Sequence, residues 1–156
     1  MFVATSMRRV QDPGSALISN VLAAMGFALP AAVGGATAFP NRRVICFVGD
    51  GGLCMVLGEL DVLHHRQLNV TVIVFNDASL SLIKPKPGER QGGHGDIGYS
   101  AISLVGVASA VGMESATARR RSGLTTSLEA PPDRPYLIEA CIGGSDYVAI
   151  MELALV

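Results

Sequence analysis

The sequence has no tryptophan, only 5% aromatic residues and only 16% charged residues. Its 12 Lys+Arg nearly cancel its 13 Asp+Glu, so no field is strong enough to hold nucleic acid or an anionic membrane surface. Cysteine is scarce too: Cys46, Cys54 and Cys141 form no Cys-x-x-Cys pair, which argues against a disulfide framework and points to a reducing cytoplasm. No basic n-region followed by an apolar h-region comes after Met1, so no signal peptide is evident. The uncharged stretch from Pro13 to Asn41 is long enough to cross a bilayer, but Asn20, Gly26, Pro30, Gly34, Gly35 and Pro40 interrupt it. A helix buried beside strands explains it better than a transmembrane span.

What remains is apolar. The 156 residues are 49% hydrophobic, with a mean hydropathy of +0.42, enough for one domain over residues 1–156 with a proper core. So little charge implies that something covers part of its surface. After the turn Asp12-Pro13-Gly14, the run Val21 to Ala38 predicts a buried helix. Val44 to Val48 and Val70 to Phe75 are short continuous apolar runs, which suit strands covered on both faces. Between them, Leu53, Val56, Leu57, Leu60 and Leu63 fall at helical spacing, so the segment reads as one βαβ crossover. Pro85 to Tyr99 is a glycine- and proline-rich loop, Ser100 to Val111 a helix, Met113 to Thr117 and Tyr136 to Ile142 strands, and Asp146 to Leu155 a closing helix. The alternation predicts an α/β fold with an open, mostly parallel sheet and helices on both faces.

Ligands of such sheets bind beyond the carboxyl ends of the strands. Gly49-Asp50-Gly51-Gly52 and Asn76-Asp77 occupy two such ends. The glycines allow a sharp turn and close backbone approach, and free N–H groups at the start of the following helix suit a phosphate. A carboxylate there repels phosphate unless a cation lies between them. Asp50, with Asp77 at the end of the next strand, offers hard oxygen ligands of the kind Mg²⁺ prefers. The plainer alternative is that Asp50 caps the helix and Asp77 opens a turn. A dinucleotide fingerprint starting at Gly49 fails, because Cys54 stands where a third glycine is needed.

Gly49-Asp50-Gly51, a helix, a strand and Asn76-Asp77 resemble the Gly-Asp-Gly to Asn-Asn motif of thiamine-diphosphate enzymes, with 77 − 50 = 27 positions between the acids. Ile18 to Ala32 resembles the segment preceding this motif in acetolactate-synthase-like members, and Leu137-Ile138-Glu139 resembles their final strand. By position, the resemblance implies that Asp50 and Asp77 ligate Mg²⁺ through their side chains and Ser79 through its carbonyl. It assigns the diphosphate to Gly49, Gly51, Gly52 and the turn Ala78, Ser79, Leu80 and Ser81. Met25 matches the apolar residue that bends the cofactor into a V, where core packing is the alternative, and the Ala23 carbonyl would accept from the aminopyrimidine. The implied substrate is a 2-oxo acid, which is decarboxylated or carboligated.

The glutamate that activates the aminopyrimidine comes from a separate pyrimidine-binding domain in this family, and nothing here matches that domain or the central one. The resemblance therefore implies a partner, on another chain or in a missing segment, within a homo- or hetero-oligomer. Phe2 to Thr5 resembles the middle of the domain's first helix, so a truncated N-terminus is expected, and no catalytic side chain is assigned. Asp77 adds a charge where the motif has Asn, Lys84 to Pro87 interrupts a helix that shapes the substrate pocket, and Arg119 to Pro132 is short for the helix and loop expected there. His64 and His65 read as a helix face, His94 as a solvated loop residue and Arg119 to Arg121 as a solvated turn. A non-catalytic binding or assembly module and an unrelated nucleotide-binding α/β domain stay open as alternatives.

Overall fold

The computed structural model of the chain describes residues 12–19, 22–79, 102–129 and 133–143. In chain order the elements are α1 (Ala28–Ala38), β1 (Val44–Gly49), α2 (Asp50–Cys54), α3 (Glu59–His65), β2 (Val70–Asn76), α4 (Leu104–Ala110), β3 (Glu114–Ala118), α5 (Arg121–Glu129) and β4 (Tyr136–Cys141). The strands form one sheet in the order β1-β2-β4-β3, and every neighbouring pair is parallel. Parallel neighbours need crossovers, and the helices supply them.

The two faces carry separate cores, as strand alternation requires. On one face Cys46 and Val48 of β1, Val70, Val72 and Val74 of β2 and Leu137 of β4 pack with Leu29, Leu53, Leu60, Leu63 and Leu104 from α1 to α4. Each of those leucines is essentially inaccessible, and burial of one such side chain contributes about 1.5–3 kcal/mol. On the other face Ile73, Ile138, Ala140 and Ala118 pack with Phe47, Phe75, Tyr136 and Leu124 of α5. The predicted open parallel sheet with helices on both faces is the observed fold.

Several boundaries differ from the sequence expectation. The helix expected over Val21 to Ala38 begins only at Ala28, because Ala23 (φ +46°) and Gly26 (φ +83°) are left-handed and a right-handed helix cannot pass through them. The later start also puts Pro30 in the first turn, where its missing N–H costs nothing. The expected single helix after β1 is two short ones. It starts at Asp50 rather than Leu53, and residues 55–58 turn through bonds such as Val56 N–H to Leu53 O before α3 begins. Ser103 caps α4 by accepting from the Gly106 N–H, so that helix starts at Leu104 rather than Ser100. The segment that is short for the helix and loop expected there still forms a nine-residue helix, α5, which Arg121 opens, so Arg121 belongs to a helix and not to a turn. The Pro85–Tyr99 loop, His94, Lys84 to Pro87 and the closing helix at Asp146 to Leu155 lie outside the described residues. No described helix is long and apolar enough to cross a membrane.

Candidate functional site

Register brings the two motifs together. Gly49 pairs with Phe75 across β1 and β2, so Asp50 and the Asn76-Asp77 pair leave the sheet side by side at its carboxyl end. Asp50 is the first residue of α2, and Gly49 before it is extended and contributes no side-chain cap. The Asp50 carboxylate is 6% exposed. Its Oδ1 accepts from the Gly51 N–H at 2.9 Å, while Oδ2 is buried with no hydrogen-bond partner. A conventional cap would sit one residue earlier and accept from the second or third helical N–H, so Asp50 is not that. An ionic oxygen buried without a partner is costly in a native protein. A cation would satisfy it.

The next strand ends in consecutive side-chain turns. Asn76 Oδ1 accepts from the Ala78 N–H at 3.0 Å and Asp77 Oδ1 from the Ser79 N–H at 3.2 Å, which is how Asx residues shape turns. Asp77 therefore does form a turn, as the plainer alternative holds, and that leaves its carboxylate at the strand end all the same. Ala78 is left-handed, with φ +53°, which brings Ser79 back toward the sheet. The Ser79 hydroxyl is also buried without a partner.

A third segment closes against the glycine turn. A Cβ on Gly26 would stand 3.0 Å from Val56 Cγ1 and 3.6 Å from the Gly52 carbonyl oxygen, and one on Gly52 would stand 3.5 Å from the Gly26 nitrogen. A side chain at position 26 would crowd Val56, and the φ of +83° there independently favours glycine. The turn carries Met25, which is 50% exposed, so core packing does not account for this side chain. Leu22 and Met55 are also largely exposed. Ala23, two residues before Met25, holds the left-handed conformation that few non-glycine residues adopt. The structure thus brings Ala23, Met25, Gly49, Asp50, Gly51, Gly52, Asp77, Ala78 and Ser79 to one end of the sheet. Leu80 and Ser81 lie outside the described residues.

Other reactive groups are quiet. Burial pushes the Cys46 thiol up to about 12, and burial followed by the nearby Asp50 charge raises the Cys54 thiol, so both stay neutral and weakly nucleophilic. Among the described residues no cluster of three or more His, Cys, Asp and Glu could hold a metal. A cation at Asp50 would need backbone or ligand oxygens as well. His65 is exposed, whereas His64 is half-buried against Gly112 rather than on an open face.

One residue at this end was not singled out for a role by sequence. Glu139 of β4 is 9% exposed. Its Oε1 accepts from Asn76 Nδ2 at 2.6 Å and its Oε2 from Thr117 Oγ1 at 3.3 Å. The available signal was a carboxylate inside the apolar strand Tyr136–Cys141, because such a residue is buried only when paired.

The family described as "Thiamine pyrophosphate enzyme, C-terminal TPP binding domain" matches residues 1–140. The chain belongs to that family. It is 34% identical over 125 residues to the acetolactate synthase isozyme 1 large subunit of Escherichia coli strain K12, covering 79% of this chain and 22% of that one. It is 30% identical over 162 residues to the probable acetolactate synthase 2, chloroplastic, of Oryza sativa subsp. japonica, covering 95% and 24%. The fold resembles that of the Rhodococcus jostii RHA1 thiamine diphosphate-dependent 4-hydroxybenzoylformate decarboxylase with a TM-score of 0.62, at 27% identity over 76% of this chain and 23% of that one. The chain spans less than a quarter of the length of each of these relatives. This TPP-binding domain is of the acetolactate-synthase-like kind, as the resemblance implied.

Proposed function

We propose that this domain binds thiamine diphosphate through Mg²⁺ and is one part of a cytoplasmic acetolactate-synthase-like enzyme that decarboxylates or carboligates 2-oxo acids. The observation that carries the reading is Asp50: a buried carboxylate whose Oδ2 lacks any partner, at a strand end beside Asp77. In this reading Asp50 and Asp77 hold Mg²⁺ with the Ser79 carbonyl, and diphosphate oxygens and water complete six oxygen ligands, the number Mg²⁺ prefers. Gly49, Gly51, Gly52 and the turn from Ala78 through Leu80 and Ser81 lie along the diphosphate. Met25, exposed and backed by the Gly26 turn, supports the space between the rings, and Ala23 offers its carbonyl to the aminopyrimidine. When bound, thiamine diphosphate supplies a nucleophilic carbon for attack on a carbonyl.

No described carboxylate of this chain is assigned to activate the aminopyrimidine, so that proton transfer falls to a pyrimidine-binding domain on a partner chain or on a further segment. The exposed side chains of Leu22, Met25 and Met55 suit a surface covered in a homo- or hetero-oligomer. Calorimetry of thiamine diphosphate with Mg²⁺ and with chelator tests the reading. Binding is expected only with the metal, because the acids alone repel the diphosphate. Equal affinity in both conditions, or preferential binding of NAD, would overturn it and favour a nucleotide-binding domain.

A further inference from the structure

A hydrogen-bonded relay runs across the sheet into the proposed metal site, and none of its members needs to touch the metal. It starts on β3, where Thr117 Oγ1 donates to Glu139 Oε2. It crosses to β2, where Asn76 Nδ2 donates to Glu139 Oε1, and it ends in the loop, where the Ala78 N–H donates to Asn76 Oδ1. Glu139 is opposite Val74 on β2 and Thr117 on β3, and alternation puts it on the same face as Leu137 and Asn76. A carboxylate only accepts hydrogen bonds, whereas an asparagine amide has a donating and an accepting end that can exchange places. Glu139 removes that ambiguity: with the Asn76 NH₂ drawn to the carboxylate, the amide oxygen must face the Ala78 N–H. Ala78 is left-handed, an unfavourable conformation for alanine that persists only where its surroundings impose it. That residue sets the path of the chain between Asp77 and Ser79.

We propose that Glu139 is a positioning residue: acting through Asn76, it holds Ala78 left-handed and so presents Asp77 and the Ser79 carbonyl toward Asp50. The proposal rests on the thiamine-diphosphate reading for what the turn holds, though not for how the turn is held. A purely structural role, tying three strands together, would change unfolding temperature without changing the turn.

A donor swap separates the two. Asn76→Asp puts two carboxylates in contact and removes the donor, while keeping an oxygen for the Ala78 N–H. Combining it with Glu139→Gln returns an amide donor from β4, with donor and acceptor exchanged. Two quantities are measured on the full chain, with thermal unfolding as the check of folding. One is hydrogen exchange of the Ala78 amide without ligand, and the other is calorimetric affinity for thiamine diphosphate at saturating Mg²⁺. Asn76→Asp should reduce Ala78 protection and Mg²⁺-dependent affinity at least ~10-fold, in the range found for residues that orient metal ligands. The double variant should recover both to within about threefold of the parent, well short of the loss in that range. Glu139→Met, which removes the acceptor without introducing repulsion, should match the single variant and serves if Asn76→Asp fails to fold. Unchanged Ala78 protection in a folded Asn76→Asp or Glu139→Met variant, or no recovery in the double, would overturn the proposal. If the parent binds no thiamine diphosphate with Mg²⁺, the cofactor reading fails, and the Ala78 exchange result still decides the positioning role.

Discussion

Asp50 should make the ligand-free domain less stable than it could be. Its Oδ1 is satisfied by the Gly51 N–H, but its Oδ2 is buried with no partner. Leaving such an atom unpaired costs about 1–3 kcal/mol, and more when it is charged. Asp50→Asn keeps the Oδ1 acceptor and removes the charge, yet leaves an unpaired NH₂ in place of the oxygen. Only part of the cost is recovered, so the expected gain is about 1 kcal/mol, which raises the unfolding midpoint by about 2–4 °C for a domain of this size.

With metal and cofactor the order should reverse. Thiamine diphosphate with Mg²⁺ at a hundred times its dissociation constant stabilises the parent by about 2.7 kcal/mol. The variant, with one anionic ligand fewer, gains almost nothing, so the parent should lead by about 1.7 kcal/mol (2.7 − 1, combining the ligand term with the recovered desolvation). Urea unfolding of both proteins in chelator and in Mg²⁺ with thiamine diphosphate measures the crossing. A variant that is less stable than the parent in chelator, and equally stabilised by ligand, would refute the reasoning and return Asp50 to a local structural role.

Asp77→Asn restores the residue usual in the motif and keeps an oxygen for the Ser79 N–H, so calorimetry should find Mg²⁺-dependent cofactor binding preserved, whereas Asp50→Ala should lose it. Thr71 is 1% exposed and its hydroxyl has no partner; Thr71→Val should therefore leave stability unchanged or raise it by about 1 kcal/mol in urea unfolding. The Cys46 thiol rises from an ordinary 9.0 to about 12 on folding. Because the unfolded chain releases this proton first, stability should fall between pH 9 and 12, by about 1.4 kcal/mol at pH 10 relative to pH 7, and Cys46→Val should remove that component of the parent's pH dependence. Gly112, at φ +81°, has no room for a Cβ, which would stand 2.8 Å from His64 Cε1. Gly112→Ala should cost about 1–3 kcal/mol, and adding His64→Ala should return only the steric share.

Chain order and sheet parallelism were legible because β1 and β2 are continuous apolar runs and each ends in an acid beyond a glycine or asparagine turn. Those signals are local, and so are the side chains that produce them. The α1 start was misread for a local reason as well: small apolar residues from Val21 onward fit a helix, yet Gly26 marked a break and Pro30 belongs in a first turn, not deep inside a helix begun at Val21. The split between α2 and α3 was harder to see, since Leu53, Leu60 and Leu63 keep helical spacing across the break and are all buried. Periodicity reports which side chains face the core, and it says little about whether the backbone between them stays helical.

The site followed a different rule. Asp50 and Asp77 were visible as strand-end acids, and the sheet register accounts for their joining. The support behind them was not visible, because Glu139 lies 63 residues beyond Asn76 and reaches it only because β4 is inserted between β2 and β3. A strand order of β1-β2-β3-β4 would have separated Glu139 from β2 altogether. The acid in the last strand could have been read as an anomaly needing a partner, but the sequence offers no means of choosing Asn76 over the other polar residues. The return of β4 to the middle of the sheet is thus what links the carboxylate buried on one strand to the conformation of a loop on its neighbour, and topology here does chemical work that residue spacing alone cannot express.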